Sequence, residues 1–161
     1  MSPSPVITCG SSDPQVFIAV KLLYLPEYES KISISASPRL SLMSIAVIHN
    51  VISTTAGVVE IPLLLQGLAP LIADEQNRGT MEYPKPPVAI FAGALYGDKE
   101  IDEMREACQG LGSVLWLKMD MTIPKPPLGP GYAEHVVERV KACMKKIEAE
   151  GMLEKDGLWL Y

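Results

Sequence analysis

The stretch VITCGSSDP, residues 6–14, joins a short apolar run to a turn and the start of a helix. Its first four residues have the β-branched composition of a buried strand, which a glycine then ends. Asp13 can accept hydrogen bonds from first-turn amides, and Pro14 suits the first position of a helix. The stretch therefore predicts a strand–turn–helix unit whose helix covers residues 14–25.

The same alternation of short apolar runs and amphipathic segments continues along the chain. It predicts a mostly parallel sheet with helices on both faces. Right-handed crossovers then limit the α/β fold to a three-layer sandwich of about five strands, Rossmann-like or flavodoxin-like. No repeat or second domain is evident, so residues 1–161 are expected to form one domain. The later predicted strands are residues 51–53, 88–92, 114–117 and 158–161, and the later helices are residues 99–109, 133–150 and one capped by Thr54 or Thr55.

Residues 30–50 interrupt this pattern as an atypical insertion. The segment contains six serines and no acidic residue, and its second half is apolar. Without it, PEYE at residues 26–29 would be followed by the next strand after a normal short loop. Two explanations stay open: an excursion that forms a hairpin or a partner-binding surface, or translation of a retained intron. In the first, the apolar half must be buried, for example in an extended strand or helix leading into Val51.

Composition argues against several classes of protein. A net charge of −5 lacks the basic footprint of a nucleic-acid binder. The N-terminal residues do not resemble a secretory signal, and the uncharged run at residues 40–59 is too polar for a membrane helix. Cys9, Cys108 and Cys143 are odd in number and far apart, which indicates buried free thiols rather than disulfides. A cytoplasmic protein with no nucleic-acid or membrane partner is expected.

Cofactor motifs are also missing from the sequence. A dinucleotide fingerprint needs GxGxxG after the first strand, but only Gly10 is present. Asp13 would place a negative charge where a phosphate binds, and Pro14 removes an amide donor. P-loop, GxSxG and HExxH motifs are absent, and two histidines are too few for a His-rich metal site. No cofactor and no metal are therefore expected.

The carboxyl ends of parallel strands meet at one edge of the sheet, where open α/β sheets bind ligands. The turns expected at this edge are rich in small and hydroxyl-bearing residues. Such a rim suits a small polar or amphipathic ligand better than a highly charged one. The candidate ligand-binding residues are Gly10, Ser11, Ser12, Ser53, Thr54, Gly93 and Tyr96.

Tyr132 and His135 are the candidate catalytic residues. They lie at the start of a long helix, directly after a proline-rich loop. If that loop ends at the carboxyl edge, His135 can serve as an acid or base and Tyr132 as a hydrogen-bond donor. The alternative is structural, with Glu134 stabilising the helix start and His135 an ordinary helix residue.

Several motifs resemble those of small, mostly uncharacterised Rossmann-like proteins of filamentous fungi. They are the strand ending at Gly10, PEYE at residues 26–29, ISTTAG at residues 52–57, PKPPLGPGYAEHVVERVK at residues 124–141 and EKDGLWLY at residues 154–161. The resemblance covers most of the chain except residues 30–50 and 68–83. It implies the fold and a fungal origin, and brings no reaction or catalytic residues. A retained intron in a fungal gene model is consistent with it.

Three functions fit these observations. The first is a small-molecule-binding protein of fungal secondary metabolism, which could be a non-redox accessory enzyme of the isomerase or cyclase type. The second is a non-catalytic interaction module, in which an exposed edge at residues 158–161 pairs with another copy to form a homodimer. The third is a degenerate nucleotide-binding domain.

Overall fold

The structure, a computed structural model, describes residues 4–10, 45–71 and 79–161. The helix predicted over residues 14–25, together with Ser11 and Ser12, lies outside the described residues. The described strands are β1 (Ser4–Cys9), β2 (Ile45–Val51), β3 (Ala89–Ala92), β4 (Leu115–Lys118) and β5 (Gly157–Leu160). The described helices are α1 (Thr54–Leu65), α2 (Asp98–Ala107) and α3 (Tyr132–Ala149).

The strands form one parallel sheet with the order β2-β1-β3-β4-β5. This is the flavodoxin-like order, in which the chain first extends to one side of β1 and then returns to its other side. The connections from β1 and from β3 therefore leave in opposite directions, and a crevice opens between the carboxyl ends of these two strands. The predicted α/β fold with a parallel sheet is confirmed.

The helices cover both faces of the sheet, as predicted. Ile90 and Trp116 point to the face on which α1 and α2 pack. Phe91 and Leu117, their neighbours in sequence, point to the other face and pack with α3. All four side chains are at most 4% exposed. The strands are therefore apolar on both sides, as expected of a parallel sheet between helices.

The last crossover has the opposite hand to the two before it. The connections from β2 to β3 and from β3 to β4 move across the sheet in one direction, with α1 and α2 on one face. The connection from β4 to β5 continues in that direction, but α3 lies on the other face. Crossovers are right-handed in about 98% of cases, so a sheet whose crossovers differ in hand departs from the expected topology. The loop at residues 119–131 is long enough to carry the chain over the carboxyl edge.

The second strand differs from its prediction at residues 51–53. It begins at Ile45 and ends at Val51, and Ile52 is 40% exposed. Ser53 is the N-cap of α1, because its hydroxyl accepts a hydrogen bond from the Ala56 amide at 3.1 Å. Residues 45–50 of the presumed insertion are thus a fully buried part of the sheet. An extended strand leading into Val51 is the burial that the excursion explanation requires, and both explanations of the insertion stay predictions.

A β-bulge in β2 decides which of its side chains face each layer. Val6 pairs with Val47 but Ile7 pairs with His49, so Ile48 is an additional residue in β2. Beyond the bulge the alternation is reversed. His49 consequently points to the α1 face, where its Nε2 atom lies 2.8 Å from Glu60. Asn50 points to the α3 face, at the end of the strand.

The outer edge of β2 is covered by the segment around Gly79. The Thr80 amide donates to the Val47 carbonyl at 3.0 Å, and the Met81 amide donates to the Ile48 carbonyl at 3.1 Å. A Cβ atom on Gly79 would overlap the carbonyl group of Ile48. The absence of a side chain there allows the two backbones to approach at the bulge.

The opposite edge of the described sheet is β5. Leu158 and Leu160 are 39% and 58% exposed, and no described strand pairs beyond them. An edge of this kind can pair with another chain, and the homodimer through this edge stays a prediction. None of the helices in the described ranges has the length and apolar character needed to cross a membrane.

Candidate functional site

A cavity of about 310 Å³ opens at the carboxyl edge of the sheet, between the ends of β1 and β3 on the α3 face. Thr8, Phe91 and Gly93 line it from the strand ends. Tyr132 and Val136 line it from the first turns of α3. It therefore lies at the crevice where the strand order reverses, the place where open α/β sheets bind ligands.

Small residues where the strands end leave this space open. The Gly10 amide donates to the Val51 carbonyl at 3.1 Å, and the Gly93 amide donates to the Cys9 carbonyl at 2.9 Å. These bonds extend the sheet by one residue before the connections diverge. Among the described residues, the nearest atom to a Cβ atom on Gly10 would be Asn50 Oδ1 at 3.7 Å. The space beside Gly10 is thus part of the cavity.

The proline-rich loop between β4 and α3 forms the outer wall. Lys125, Pro126 and Leu128 border the cavity, and Leu128 is 69% exposed at its rim. The loop ends at Gly131, whose φ of 85° is left-handed and places it as the N-cap of α3. The reversed hand of this crossover is what brings both the loop and α3 to the crevice.

One polar group of the cavity is the amide of Asn50. The Thr8 hydroxyl donates to Asn50 Oδ1 at 2.9 Å, in a pair that is buried between β1 and β2. This bond holds the amide oxygen towards Thr8, and the NH₂ group of the Asn50 side chain is a donor. The β-bulge is what turns this side chain towards the cavity.

Tyr132 supplies a second donor. Burial raises the pKa of its hydroxyl, and the positive charge of Arg139 offsets this effect in part. The phenol is therefore protonated at neutral pH, and it can donate a hydrogen bond or a proton to a bound molecule.

Tyr161 forms the floor of the cavity. Its hydroxyl donates to the Ala92 carbonyl at 3.0 Å, and burial raises its pKa. The Arg139 guanidinium lies 5.7 Å from the centre of the Tyr161 ring. Arg139 Nη2 also donates to the Asp120 carbonyl at 3.0 Å and to the Tyr161 carbonyl. These contacts hold the ring of Tyr161 in the wall of the cavity that Tyr132 also lines.

The cysteines are not suited to nucleophilic chemistry. Cys9 borders the cavity, but burial raises the pKa of its thiol. Burial likewise raises the pKa of Cys108, to about 11, and that of Cys143. All three are free and buried, as the sequence predicted. A thiol rather than a thiolate is present at neutral pH, and the thiolate is the reactive form.

Two charged side chains near this edge, Lys118 and Asp120, have polar partners within the protein, whereas the described contact of a third, Lys125, is a thioether. Lys118 forms an ion pair with Asp98. Asp120 accepts hydrogen bonds from the hydroxyl and amide of Thr122, which lower the pKa of its carboxyl group. Lys125 borders the cavity, and its ammonium group lies 3.9 Å from Met121 Sδ.

The structure brings three of the predicted site residues together, Gly10, Gly93 and Tyr132. Ser53 is the N-cap of α1, and Thr54 is the first residue of that helix. Tyr96 packs on the α1 and α2 face, where its hydroxyl donates to the Val51 carbonyl at 3.1 Å. These three residues are not among those that border the cavity.

His135 follows Tyr132 on α3 but is not among the residues that border the cavity. Its side chain is half-buried, and its Nε2 atom is buried without a hydrogen-bond partner. The cavity therefore gives Tyr132 access to a bound molecule and does not give it to His135.

Sequence reasoning missed several cavity residues, including Thr8, Asn50, Lys125 and Tyr161. Thr8 is a polar residue in an otherwise apolar strand, which is a usable signal. Asn50 was assigned to the insertion, and its orientation depends on a bulge that no local pattern reveals. Tyr161 was taken for the last residue of a strand, although its hydroxyl reaches β3.

A second groove lies at the opposite, amino edge of the sheet. It borders α2 and the start of β5, and Arg105 and Asp156 form an ion pair there at 3.5 Å. It is larger, at about 530 Å³, but polar, and no strand ends at its mouth. Among the described residues, no group of three or more His, Cys, Asp or Glu side chains could hold a metal ion.

The sheet order and the crevice define a flavodoxin-like α/β protein with an apolar cavity at its switch point. The chain belongs to the family of Kojic acid related protein 6 of Aspergillus oryzae, a fungal protein to which it is 30% identical over 156 residues. The match covers 94% of this chain and 82% of the relative. It confirms the expected relationship to fungal proteins. No family model matches the sequence, and no solved structure does.

Proposed function

We propose that this chain is a small-molecule-binding protein of fungal secondary metabolism and that its ligand occupies the cavity between β1 and β3. The observation that carries the proposal is the position of an apolar cavity at the switch point of a parallel sheet.

The size of the cavity limits the ligand. Ligand pockets usually measure about 300–1,000 Å³, and this cavity lies at the lower end of that range. A molecule of one or two rings fits that volume, whereas a dinucleotide does not. The proposal therefore excludes NAD(P) as the resident ligand of this cavity.

The lining of the cavity favours a ligand with an apolar body and a polar end. Phe91, Val136 and Val140 offer flat and branched apolar surfaces. The donors are the Asn50 amide and the Tyr132 hydroxyl. A ring compound with carbonyl or hydroxyl oxygens at one end satisfies both. Kojic acid, which names the relative, is a hydroxypyranone and belongs to this class of compound.

Catalysis of a non-redox isomerisation is the extension of this proposal. Tyr132 holds a proton at neutral pH inside a cavity that lacks an activated thiol. A keto–enol isomerisation moves one proton within the substrate and needs no oxidant. Tyr132 would donate its proton to the carbonyl oxygen of the ligand, and the resulting Tyr132 phenolate would take the proton from the neighbouring carbon. The O–H bond forms as the C–H bond breaks, and Tyr132 regains its proton.

A thermal-shift screen tests the proposal. The probes are kojic acid and other oxygenated ring compounds, with NAD(P)H, FMN and ATP tested in parallel. A compound at a hundred times its Kd adds about 2.7 kcal/mol to stability, which is a clear rise in Tm. Val136→Phe fills the cavity, whereas Val59→Phe adds the same group to an exposed position on α1.

Ring compounds are expected to raise the Tm of the wild type and of Val59→Phe but not that of Val136→Phe. A screen in which no ring compound raises the Tm contradicts the proposal. Stabilisation by nucleotides alone supports a degenerate nucleotide-binding domain instead.

A further inference from the structure

We infer that the cavity prefers a ring compound that carries an ionised acid group, a carboxylate or an enolate, and that Lys125 is its counter-ion. The inference rests on the proposed function and names the chemical class of its ligand.

The charge of the cavity wall carries the inference. Among the described residues that border the cavity, Lys125 has the one charged side chain, and no Asp or Glu side chain is present. This is unusual in a chain with 19 acidic residues and 14 basic ones. The rim of the cavity is therefore expected to attract a negatively charged group of a ligand.

The contacts of Lys125 distinguish it from the other cations at this edge. Lys118 is paired with Asp98. The Arg139 guanidinium donates to two backbone carbonyls, and neither Lys118 nor Arg139 is among the residues that border the cavity. The contact of the Lys125 ammonium is a thioether, which is a weak acceptor. None of the ion pairs within the described ranges includes Lys125. Its charge is thus available to a molecule in the cavity.

The backbone around Lys125 is conformationally restricted, which limits the positions open to its side chain at the rim. Pro124 and Pro126 stand on either side of it, and each fixes its own φ near −65°. Residues that precede proline are restricted as well, so Lys125 is constrained from both sides. A cation on a stiff segment loses less entropy when it meets a ligand than one on a flexible loop.

The other polar groups agree with an acceptor-rich ligand. The ammonium of Lys125, the hydroxyl of Tyr132 and the NH₂ group of Asn50 are all donors. Oxygens of a carboxylate or an enolate accept from all three kinds of group, whereas the Tyr132 hydroxyl alone among the three could accept from a cationic ligand at neutral pH without reorienting the Asn50 amide. Charge-assisted hydrogen bonds of this type are stronger than neutral ones.

Matched pairs of probes test this inference by calorimetric titration at pH 7. Benzoate is compared with benzamide, and 4-pyranone-2-carboxylate with its primary amide, because each pair differs in charge and little in shape. The wild type is expected to bind each carboxylate about fivefold more tightly than its amide, the ratio that an ion pair at a partly exposed site supplies. Added salt should reduce this preference.

The variant Lys125→Gln should bind carboxylate and amide with equal affinity. Lys145→Gln removes the same charge from an exposed position on α3 and should keep the preference. Equal binding of each pair by the wild type, or a preference that survives in Lys125→Gln, overturns this inference and leaves the proposed function standing. Failure of all four probes and of the thermal-shift screen contradicts both.

Discussion

The hydroxyl of Tyr161 donates a hydrogen bond to the carbonyl oxygen of Ala92, 69 positions earlier in the chain. The bond joins the residue after β5 to the last residue of β3, directly under the cavity. The Met119 amide donates to the same carbonyl at 3.1 Å. Two hydrogen bonds thus meet at one oxygen, and the floor of the cavity depends on a residue that no motif marks.

Removing this hydroxyl should have a small but measurable effect. Tyr161→Phe is expected to lower the free energy of unfolding by about 1 kcal/mol, because Met119 still satisfies the Ala92 carbonyl. Tyr161→Ala also deletes a buried ring and should cost about 3–5 kcal/mol. Urea unfolding measures both. Equal stability of Tyr161→Ala and the wild type would show that the ring does not pack as described.

The pair formed by His49 and Glu60 is expected to stabilise the edge of the sheet next to α1. His49 is 2% exposed, and the hydroxyl of Tyr83 lies 3.3 Å from its Nδ1 atom. Glu60→Ala removes the partner of buried Nε2 and should cost about 1–3 kcal/mol in urea unfolding.

The control for this substitution is Glu103→Ala. Glu103 pairs with Lys99 at 3.9 Å across an exposed turn of α2, where such pairs contribute about 0.5 kcal/mol or less. A loss in Glu60→Ala no larger than in Glu103→Ala would be evidence against the buried pair.

Close packing of Gly79 against β2 predicts a specific sensitivity. A Cβ atom there would overlap the Ile48 carbonyl and lie 2.7 Å from the His49 amide nitrogen. Backbone atoms cannot move aside cheaply, so Gly79→Ala should cost about 1–3 kcal/mol. Gly10→Ala, whose new Cβ atom has Asn50 Oδ1 at 3.7 Å as its nearest neighbour within the described ranges, should leave stability unchanged or slightly higher. The account of the bulge fails if both variants have the same Tm.

The buried thiols predict a loss of stability at alkaline pH. In the unfolded chain a thiol loses its proton near pH 9, whereas burial raises the pKa of Cys108 to about 11. Between these values the folded protein binds more protons than the unfolded chain, so stability falls as pH rises. The urea midpoint should therefore decrease from pH 8 to pH 10.

Replacing a thiol should reduce that decrease. Cys108→Ala removes one of the groups whose pKa is raised, and its midpoint should depend less steeply on pH than that of the wild type. A midpoint that is constant or increases between pH 8 and pH 10 in the wild type would contradict the assignment.

The sequence was sufficient for the sheet and its parallel direction. Runs such as residues 88–92 are short, apolar and followed by small turn residues, and these local properties determine a buried strand. Gly10, Gly93 and Tyr132 were placed correctly at the carboxyl edge for the same reason. A strand end and a helix start are local features that a periodic pattern can locate.

The rest of the site depends on features that are not local. The bulge at Ile48 turns the Asn50 side chain towards the cavity. The hand of the last crossover places α3 on the face of the sheet where the cavity lies. Ser53 and Tyr96 were predicted at the rim because they follow strands, but one caps a helix and the other is buried in the opposite layer. Position along the chain does not reveal which layer a side chain enters.

The claim that a small ring compound binds between β1 and β3 is tested most directly by an NMR titration of the 15N-labelled protein with kojic acid. The account predicts that the amide signals of Gly10, Asn50, Gly93, Leu128 and Tyr132 shift progressively, and that the same titration of Val136→Phe leaves them in place. Signals that shift only around Arg105, Gln109 and Asp156, at the amino edge of the sheet, would contradict it.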